Sequence, residues 1–383
     1  GVLSWAVGMG GSGDDAGSGI GVDKEGNPYT TGYFRGTVDF NPGIASSNAV
    51  SNGAQDAFVQ RLSTGGLFAW AVTMGGSSTD VGTAIEVNDN GDVHVTGSFT
   101  GSVDFEPGTG TTTLASAGVT DVFAQRLDQN GGFVWAKSFG GSAGDEGMAI
   151  ALDASLGVYL AGTYKASVDF DPSAGTFSLA SNGEADVFVE KLNASGGFVW
   201  AGGVGGVSSE AGRSVAVDAT GNVYTTGLFA GVVDFDPGAS EFDVTSAGRE
   251  DAFVQKLDLD GNLEWALALG GLESDGGLGI AVDATGNVYL TGYFSGTMDL
   301  NPGVGVSTAT AAGSSDAFVV KLNASGGFVW GYTLGDTGAD LGTSIAVDSV
   351  GAVLVTGTYN GTVDLDPGAA TQNVTSKGLS DIF

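Results

Sequence analysis

The chain has 383 residues, of which 42% are hydrophobic, and this hydrophobic fraction excludes wholesale disorder. Its 44 acidic and 12 basic residues give a net charge of −32, so it should repel nucleic acid and anionic membranes and attract cations. Cysteine is absent, which excludes disulfides, thiolate catalysis and zinc–thiolate sites. The single histidine, His94, cannot build a histidine metal cluster and is interpreted as a strand residue.

A repeat of 65 residues runs through the whole sequence. The six tryptophans lie at this spacing: Trp5, Trp70, Trp135, Trp200, Trp265 and Trp330. The chain is seven residues shorter than six full repeats. Self-similarity at a fixed period predicts one array of like units rather than two or three unrelated domains.

Within each repeat the apolar residues alternate or form short β-branched and aromatic runs, which predicts strands. In chain order, the third repeat has the runs MAIALD, VYLAGTY and DVFVEKL, and then GGFV, which continues into WAGGV. The turn sequences DASLG and NASGG between them favour tight antiparallel reversals. No stretch between the runs has a helical period, so crossover helices are not expected. The prediction is an all-β fold with one four-stranded meander per repeat.

Six meanders of this length favour a six-bladed β-propeller over a β-helix, whose coils are shorter. Gly1 to Gly10 match a fourth strand, whereas the sequence stops at Asp381-Ile382-Phe383, inside a third strand. We therefore expect the N-terminal strand to complete the C-terminal blade and close a single domain, 1–383. The approximate blades are 11–75, 76–140, 141–205, 206–270, 271–335, and 336–383 plus 1–10. The alternative is that the open blade pairs with a neighbouring copy and forms a fibre.

Two recurring glycine positions have architectural interpretations. The pair at Gly10-Gly11, and at the same place in the next four repeats, precedes the first strand and is expected to need a positive φ. A second glycine, Gly32 in the first repeat, falls inside the second strand and predicts a bulge or a close sheet-to-sheet contact.

The segments Asp218–Gly227 (DATGNVYTTG) and Asp283–Gly292 (DATGNVYLTG) resemble the core motif of the bacterial β-propeller repeat family. The resemblance extends over all six repeats and is weaker at Asp153–Gly162 and Asp348–Gly357. It implies a secreted or cell-surface protein of bacteria, and it implies no particular chemistry, because sites rather than folds decide function.

The motif V-D-F-D-P-G and its variants place two oxygen-bearing side chains on one face of an extended segment, with Phe or Leu between them on the other face. Paired carboxylate and amide oxygens are ligands for calcium, although the same residues also cap turns. The candidate calcium ligands are Asp39, Asn41, Asp104, Glu106, Asp169, Asp171, Asp234, Asp236, Asp299, Asn301, Asp364 and Asp366.

Three further acidic positions recur. The aspartate that begins the third strand is interpreted as a partly buried loop anchor, with calcium ligation as the alternative. These secondary candidates are Asp56, Asp121, Asp186, Asp251, Asp316 and Asp381. The hairpin position, Asp23 in the first repeat, predicts a turn cap. The crossover position, Asp15 in the first repeat, is expected to join the paired oxygens in an acidic ring that is solvated or binds cations.

The residue patterns predict a non-enzymatic module for binding or structure. The resemblance implies that it is extracellular or at the cell surface, in a bacterial surface assembly, with adhesion and protein–protein contact as its roles. The expected partners are surface proteins, glycans or copies of the chain, without nucleic acid or membrane insertion. Neither catalytic residues nor an organic cofactor are expected, and Ca²⁺ is the candidate ion. A lectin is one alternative, although the F-V-W-A context favours packed tryptophans. A carboxylate-dependent polysaccharide hydrolase or lyase is the other.

Overall fold

The computed structural model describes residues 3–366, 368 and 370–383. These residues form β-strands, turns and loops without a helix, which confirms the all-β prediction. Within this part of the chain there is accordingly no helix that could cross a bilayer. Gly1 and Val2 of the predicted N-terminal strand, and Pro367 of the sixth V-D-F-D-P-G variant, lie outside the described residues.

Each repeat contributes up to four main strands. The first strands are β2 (Ala16–Val22), β8 (Val81–Val87), β14 (Glu146–Leu152), β20 (Ala211–Val217), β24 (Gly276–Val282) and β30 (Leu341–Val347). The second strands are β3 (Pro28–Phe34), β9 (Val93–Phe99), β15 (Val158–Tyr164), β21 (Val223–Asp234), β25 (Val288–Phe294) and β31 (Val353–Tyr359). The third strands are β6 (Asp56–Leu62), β12 (Asp121–Leu127), β18 (Asp186–Leu192), β22 (Asp243–Leu257), β28 (Asp316–Leu322) and β34 (Asp381–Ile382). The fourth strands are β7 (Phe68–Met74), β13 (Phe133–Gly141), β19 (Phe198–Gly206), β23 (Leu263–Leu269) and β29 (Phe328–Leu334).

The connection from the second to the third strand forms a small hairpin of its own. The short strands of these hairpins are β4 (Thr37–Asp39), β5 (Asn48–Val50), β10 (Ser102–Asp104), β11 (Thr113–Ala115), β16 (Ser167–Asp169), β17 (Ser178–Ala180), β26 (Thr297–Asp299), β27 (Thr308–Thr310), β32 (Thr362–Asp364) and β33 (Asn373–Thr375). A further short strand, β1 (Gly10–Gly11), precedes the first strand of the chain. In the fourth repeat these short strands are continuous with β21 and β22. Each V-D-F-D-P-G variant therefore begins at the end of a short strand and continues into the loop at the tip of the small hairpin.

The chain divides into two compact units: Gly1–Ala180 with Glu190–Val199, and Ser181–Val189 with Trp200–Phe383. In the first unit, β2-β3-β6-β7 form a four-stranded antiparallel sheet, and β8-β9-β12-β13 repeat the same order. Its core includes Tyr29, Val59, Ile85 and Phe99, all buried. The prediction of a single domain, 1–383, stays a prediction.

In the second unit, β20-β21-β22-β23 and β24-β25-β28-β29 form the same four-stranded order around a core that includes Tyr224, Leu290 and Phe318. Among the described residues, the last sheet has three strands, β30-β31-β34. An apolar groove of about 400 Å³, lined by residues that include Trp330, Tyr332, Val355 and Phe383, lies in this unit. The third strand of the last repeat is therefore an open edge of its sheet.

The N-terminal segment differs from its prediction. Residues 3–9 belong to no strand, and only Gly10–Gly11 form one, paired with β4. Trp5 nevertheless makes the contact of a fourth-strand tryptophan, because its indole N–H donates to the Thr64 carbonyl at 2.8 Å, as Trp70 donates to Gln129 at 3.1 Å. Closure of the last blade by this segment stays a prediction.

The first glycine pair has a different cause from the one expected. Only Gly10 among the described pairs has a positive φ, so the positive-φ explanation is wrong for the others. At Gly140 an added Cβ would lie 2.1 Å from the Asp121 carboxyl carbon, and at Gly141 it would lie 2.2 Å from the Ser167 carbonyl oxygen. Glycine is required here by close approach. Inside the second strand, a Cβ on Gly32 would lie 1.9 Å from the Ala16 carbonyl oxygen, so the close contact is with the neighbouring strand of the same sheet and not between sheets. The register shift of that strand, between Gly17 and Gly19, lies opposite Gly32.

Candidate functional site: carboxylates at the strand connections

The first aspartate of each V-D-F-D-P-G variant holds the two sides of the loop together. Asp39 Oδ1 accepts hydrogen bonds from the backbone N–H groups of Asn41 at 3.0 Å and Ser47 at 2.8 Å. The same pair of contacts is made by Asp104, Asp169, Asp234, Asp299 and Asp364. These amides, that of Ser47 first, hold the pKa of Asp39 below its ordinary value.

The second member of the motif caps the next turn. Asn41 Oδ1 accepts from the Gly43 N–H at 2.8 Å, and Asp171, Asp236, Asn301 and Asp366 cap their own turns in the same way. Glu106 instead accepts from the Thr112 hydroxyl at 2.8 Å. Because one side-chain oxygen suffices for this cap, Asp and Asn exchange freely. The geometry therefore explains the motif as a turn, and calcium binding at these residues stays a prediction.

The aspartate that starts the third strand is a buried loop anchor, as its first interpretation held. Asp56 Oδ2 accepts from the Asn52 N–H at 2.9 Å and Oδ1 from the Gly53 N–H at 3.3 Å. The Oδ2 contact recurs at Asp121, Asp186, Asp251, Asp316 and Asp381. All are buried except the half-buried Asp381. Burial raises the pKa of Asp121 to about 6.

The crossover acid joins two segments that are distant in sequence. Asp80 accepts from the Gly76 N–H at 2.7 Å and from the Thr100 N–H at 3.0 Å. Asp145, Asp275 and Asp340 make the same double contact. Glu210 Oε2 accepts from the Gly206 N–H at 2.9 Å. These five acids are buried, so the expected acidic ring is not solvated at this position. Burial raises the pKa of Asp275 to about 6.

Two acidic positions that are apart in the sequence interact in the structure, namely the third-strand aspartate and the crossover acid. The charge of the third-strand aspartate raises the pKa of the crossover acid, after the larger effect of burial, in the pairs Asp56–Asp80 and Asp251–Asp275. Amide N–H groups stabilise both members, and among the described residues no group of three or more His, Cys, Asp or Glu side chains is arranged to hold a metal ion. In the fold, these carboxylates hold the connections between strands in place.

The hairpin aspartate is a turn cap, as predicted. Asp23 Oδ1 accepts from the N–H groups of Glu25 at 3.0 Å and Asn27 at 2.9 Å, while Oδ2 accepts from the Asn27 side chain and the Tyr29 hydroxyl. Arg61 adds an ion pair at 3.5 Å.

The tryptophans pack against the repeat that follows. Trp70 covers Gly131, which has φ of 81° and lies where a Cβ would be 3.1 Å from the indole ring. The indole N–H groups of Trp135 and Trp200 donate to the carbonyls of Ala194 and Leu259, each at 3.2 Å. These contacts confirm the packing interpretation for these side chains.

Sequence reasoning missed Glu86. Other repeats have Gly or Ala at this position, namely Gly21, Ala151, Ala216, Ala281 and Ala346. Burial raises the pKa of Glu86 to about 7, and the side chain lines a pocket of about 510 Å³ with residues that include Asn88, Asp89 and Asp153. A strained residue, Leu156 with φ of 63°, lines the same pocket. The signal in the sequence was a charged residue at a position that is otherwise small.

Comparison with known proteins gives two remote relatives. The chain is 22% identical over 405 aligned positions to an uncharacterized WD repeat-containing protein of Acanthamoeba polyphaga mimivirus, covering 89% of this chain and 29% of that protein. It is 25% identical over 198 positions to the regulatory protein FlaEY of Caulobacter vibrioides, covering 50% of this chain and 20% of that protein. The chain thus spans less than a third of the length of either relative. No family model matches the sequence.

Proposed function

We propose that this chain is a non-enzymatic repeat scaffold that binds surface proteins or glycans outside the bacterial cell. The observation that carries the proposal is the same set of carboxylate–amide contacts in successive repeats, which commits the acidic side chains to architecture. WD repeats in one relative's name are typical of β-propellers, which present loops on a rigid frame. The extracellular location follows the resemblance to bacterial β-propeller repeats.

We infer further that the six repeats are blades of one propeller, closed when Leu3–Met9 add a fourth strand beside β34. The segment LSWAVGM aligns with FVWGYTL of β29 through Trp5 and Trp330. Trp5 already makes the carbonyl contact of a fourth-strand tryptophan, and β34 offers an unpaired edge. Closure would remove that edge, which otherwise invites pairing with another chain.

The binding proposal is tested on two arrays, one of bacterial surface glycans and one of purified surface proteins, with hydrolysis of a polysaccharide panel measured in parallel. Saturable binding without product release supports the scaffold. Glycan binding that Trp70→Ala abolishes, while Trp70→Phe retains it, would favour the lectin. Substrate turnover would overturn the non-enzymatic proposal.

A second candidate, the carboxylate-dependent hydrolase, rests on Glu86. A carboxyl whose pKa lies near 7 is suited to general acid catalysis, and Glu86 lines a polar pocket. This candidate predicts polysaccharide turnover that Glu86→Gln abolishes, whereas the exposed Asp260→Asn, outside the pocket, leaves it within about twofold. Turnover equal in wild type and Glu86→Gln would exclude Glu86 as the acid.

A further inference from the structure

One buried position in the third strand ties that strand to the V-D-F-D-P-G loop. Gln60, Gln125 and Gln255 occupy it in the first, second and fourth repeats and are fully buried. Each Nε2 donates to the backbone carbonyl of the motif phenylalanine 20 residues earlier, at 2.5 Å to Phe40, 2.5 Å to Phe105 and 2.7 Å to Phe235. The position therefore calls for a hydrogen-bond donor that points at a carbonyl.

The third repeat has Glu190 at this position. Its side chain is 0% exposed, and neither Oε1 nor Oε2 has a hydrogen-bond partner. The equivalent loop carbonyl belongs to Phe170, which is also buried. An ionised carboxylate only accepts hydrogen bonds, so it would set acceptor against acceptor at a place where three other repeats donate. It would also leave a buried charge without compensation, which destabilises the fold.

The repulsion between the two acceptors would be removed by a proton on the Glu190 carboxyl group or by a cation between the carboxylate and the Phe170 carbonyl. Asp171 is the charged group whose field acts on Glu190. A calcium ion needs six to eight oxygen ligands, and the described residues hold no cluster of three or more ligating acidic or histidine side chains. A proton needs only the carboxyl group itself, and it restores the donor that glutamine provides in the other repeats.

We propose that Glu190 is a neutral carboxylic acid in the folded protein and donates its proton to the Phe170 carbonyl, so that the third repeat is a pH-sensitive point of the fold. Burial, with a smaller contribution from the charge of Asp171, raises the pKa of Glu190 well above its ordinary value.

The sign of the pH effect follows from linkage. Because the folded chain binds this proton more tightly than the unfolded chain, the contribution of Glu190 to stability is complete below the unfolded pKa of about 4.3. Above it, the unfolding equilibrium constant rises about tenfold per pH unit until the pH exceeds the folded pKa.

The test uses Glu190→Gln and the mirror variant Gln255→Glu in the full chain, with Tm measured from pH 4.5 to 8.5. Glu190→Gln is expected to melt above wild type at pH 7.5, with the gap closing toward pH 4.5, and Gln255→Glu is expected to show the opposite gap. Infrared difference spectra should show a protonated carboxyl stretch at pH 7.5 that Glu190→Gln lacks.

A gap that does not change with pH, or a Glu190→Gln variant no more stable than wild type at pH 7.5, would overturn the proposal. So would a calcium-induced rise in Tm that Glu190→Gln abolishes, because an ion would then hold the place of the proton. If Gln255→Glu does not fold, the Glu190→Gln comparison and the infrared band still decide.

Discussion

In the second repeat, the carboxylate and the amide of the hairpin have exchanged places. Asn88 caps the turn there, and its Nδ2 donates to Asp92 Oδ2 at 3.1 Å, the reverse of Asp23 and Asn27 in the first repeat. Arg126 forms an ion pair with the carboxylate at its new position, with Nη2 2.9 Å from Asp92 Oδ2. His94 replaces the tyrosine whose hydroxyl would have donated to an aspartate, and both of its ring nitrogens are buried without a partner. The exchange preserves the hydrogen bond but leaves a buried imidazole.

This imidazole predicts an acid-sensitive fold. Burial, the largest effect, and the nearby Arg126 charge lower the pKa of His94 to about 4. Since the unfolded chain then binds the proton more tightly, stability is complete above about pH 6.5 and falls by about 1.4 kcal/mol per pH unit below it, until about pH 4. Between pH 7 and pH 5, the Tm of His94→Phe should therefore fall less than the Tm of wild type. Parallel Tm curves for the two proteins would contradict this account.

At the scale of the element, the crossover between repeats is built from glycine and carboxyl groups that fit directly against each other. A Cβ on Gly75, Gly205 or Gly270 would lie 2.0–2.3 Å from the carboxyl carbon of the third-strand aspartate. These carboxylates anchor the preceding loop through backbone amides. A side chain at the glycine would therefore displace the anchor as well as the strand end.

Gly140→Ala is expected to destabilise the fold by about 2–4 kcal/mol, because the methyl group would displace the buried Asp121 carboxylate from its amide partner. Denaturant unfolding measures this loss. Gly378→Ala is the matched control, because an added Cβ meets nothing within 4 Å there, and it should change stability by less than about 0.5 kcal/mol. Equal effects of the two substitutions would show that the close fit does not matter.

At the scale of the whole molecule, the first repeat lacks a cover that the other repeats have. Ile20 is 70% exposed, whereas its equivalents Ile85, Ile150, Val215, Ile280 and Ile345 are 6–7% exposed. Ile85 packs with Tyr29 and Val59 of the repeat before it. The proposed closure therefore predicts that Ile20 is covered.

Leu3→Asp tests closure. Leu3 aligns with Phe328 of β29, which is partly buried and packs against the core of its unit, yet the Leu3 side chain is 79% exposed. If Leu3–Met9 complete the last blade, a charge at this position should lower stability by about 2–4 kcal/mol. Leu379→Asp is the control, since Leu379 is 87% exposed and is not part of the proposed strand. Equal melting of both variants would count against closure, and concentration-dependent mass in dilute solution would favour the fibre.

If calcium binds at the V-D-F-D-P-G loops, a chelator should lower Tm and added calcium should restore it, because an ion bound only by the native state adds stability by mass action. Asp234→Asn should reduce this response, whereas the exposed Asp260→Asn should not. A melting curve unaffected by chelator would leave the backbone amides as the partners of these carboxylates.

The sequence predicted those features whose causes are local. The backbone amides that Asp23 caps, those of Glu25 and Asn27, lie within four residues of it, and the strands follow from residue alternation. The burial of Asp80 could not be predicted, because one of its amide partners, Thr100, is 20 residues away. The requirement for glycine at Gly140 depends on Asp121, which is close only after folding. The role of Glu190 can be inferred only when the hydrogen bonds of the equivalent glutamines in the other repeats are known.

The tryptophan contacts have an experimental consequence. Trp5, Trp70, Trp135 and Trp200 each reach a carbonyl 59 residues farther along the chain, in the hairpin of the next repeat. The indoles of these residues therefore act as intrinsic fluorophores at the boundaries between successive repeats. Their emission should report separation of neighbouring repeats, while far-ultraviolet circular dichroism reports loss of the strands themselves. If the unfolding curves from the two signals do not coincide, neighbouring repeats separate before their strands unfold.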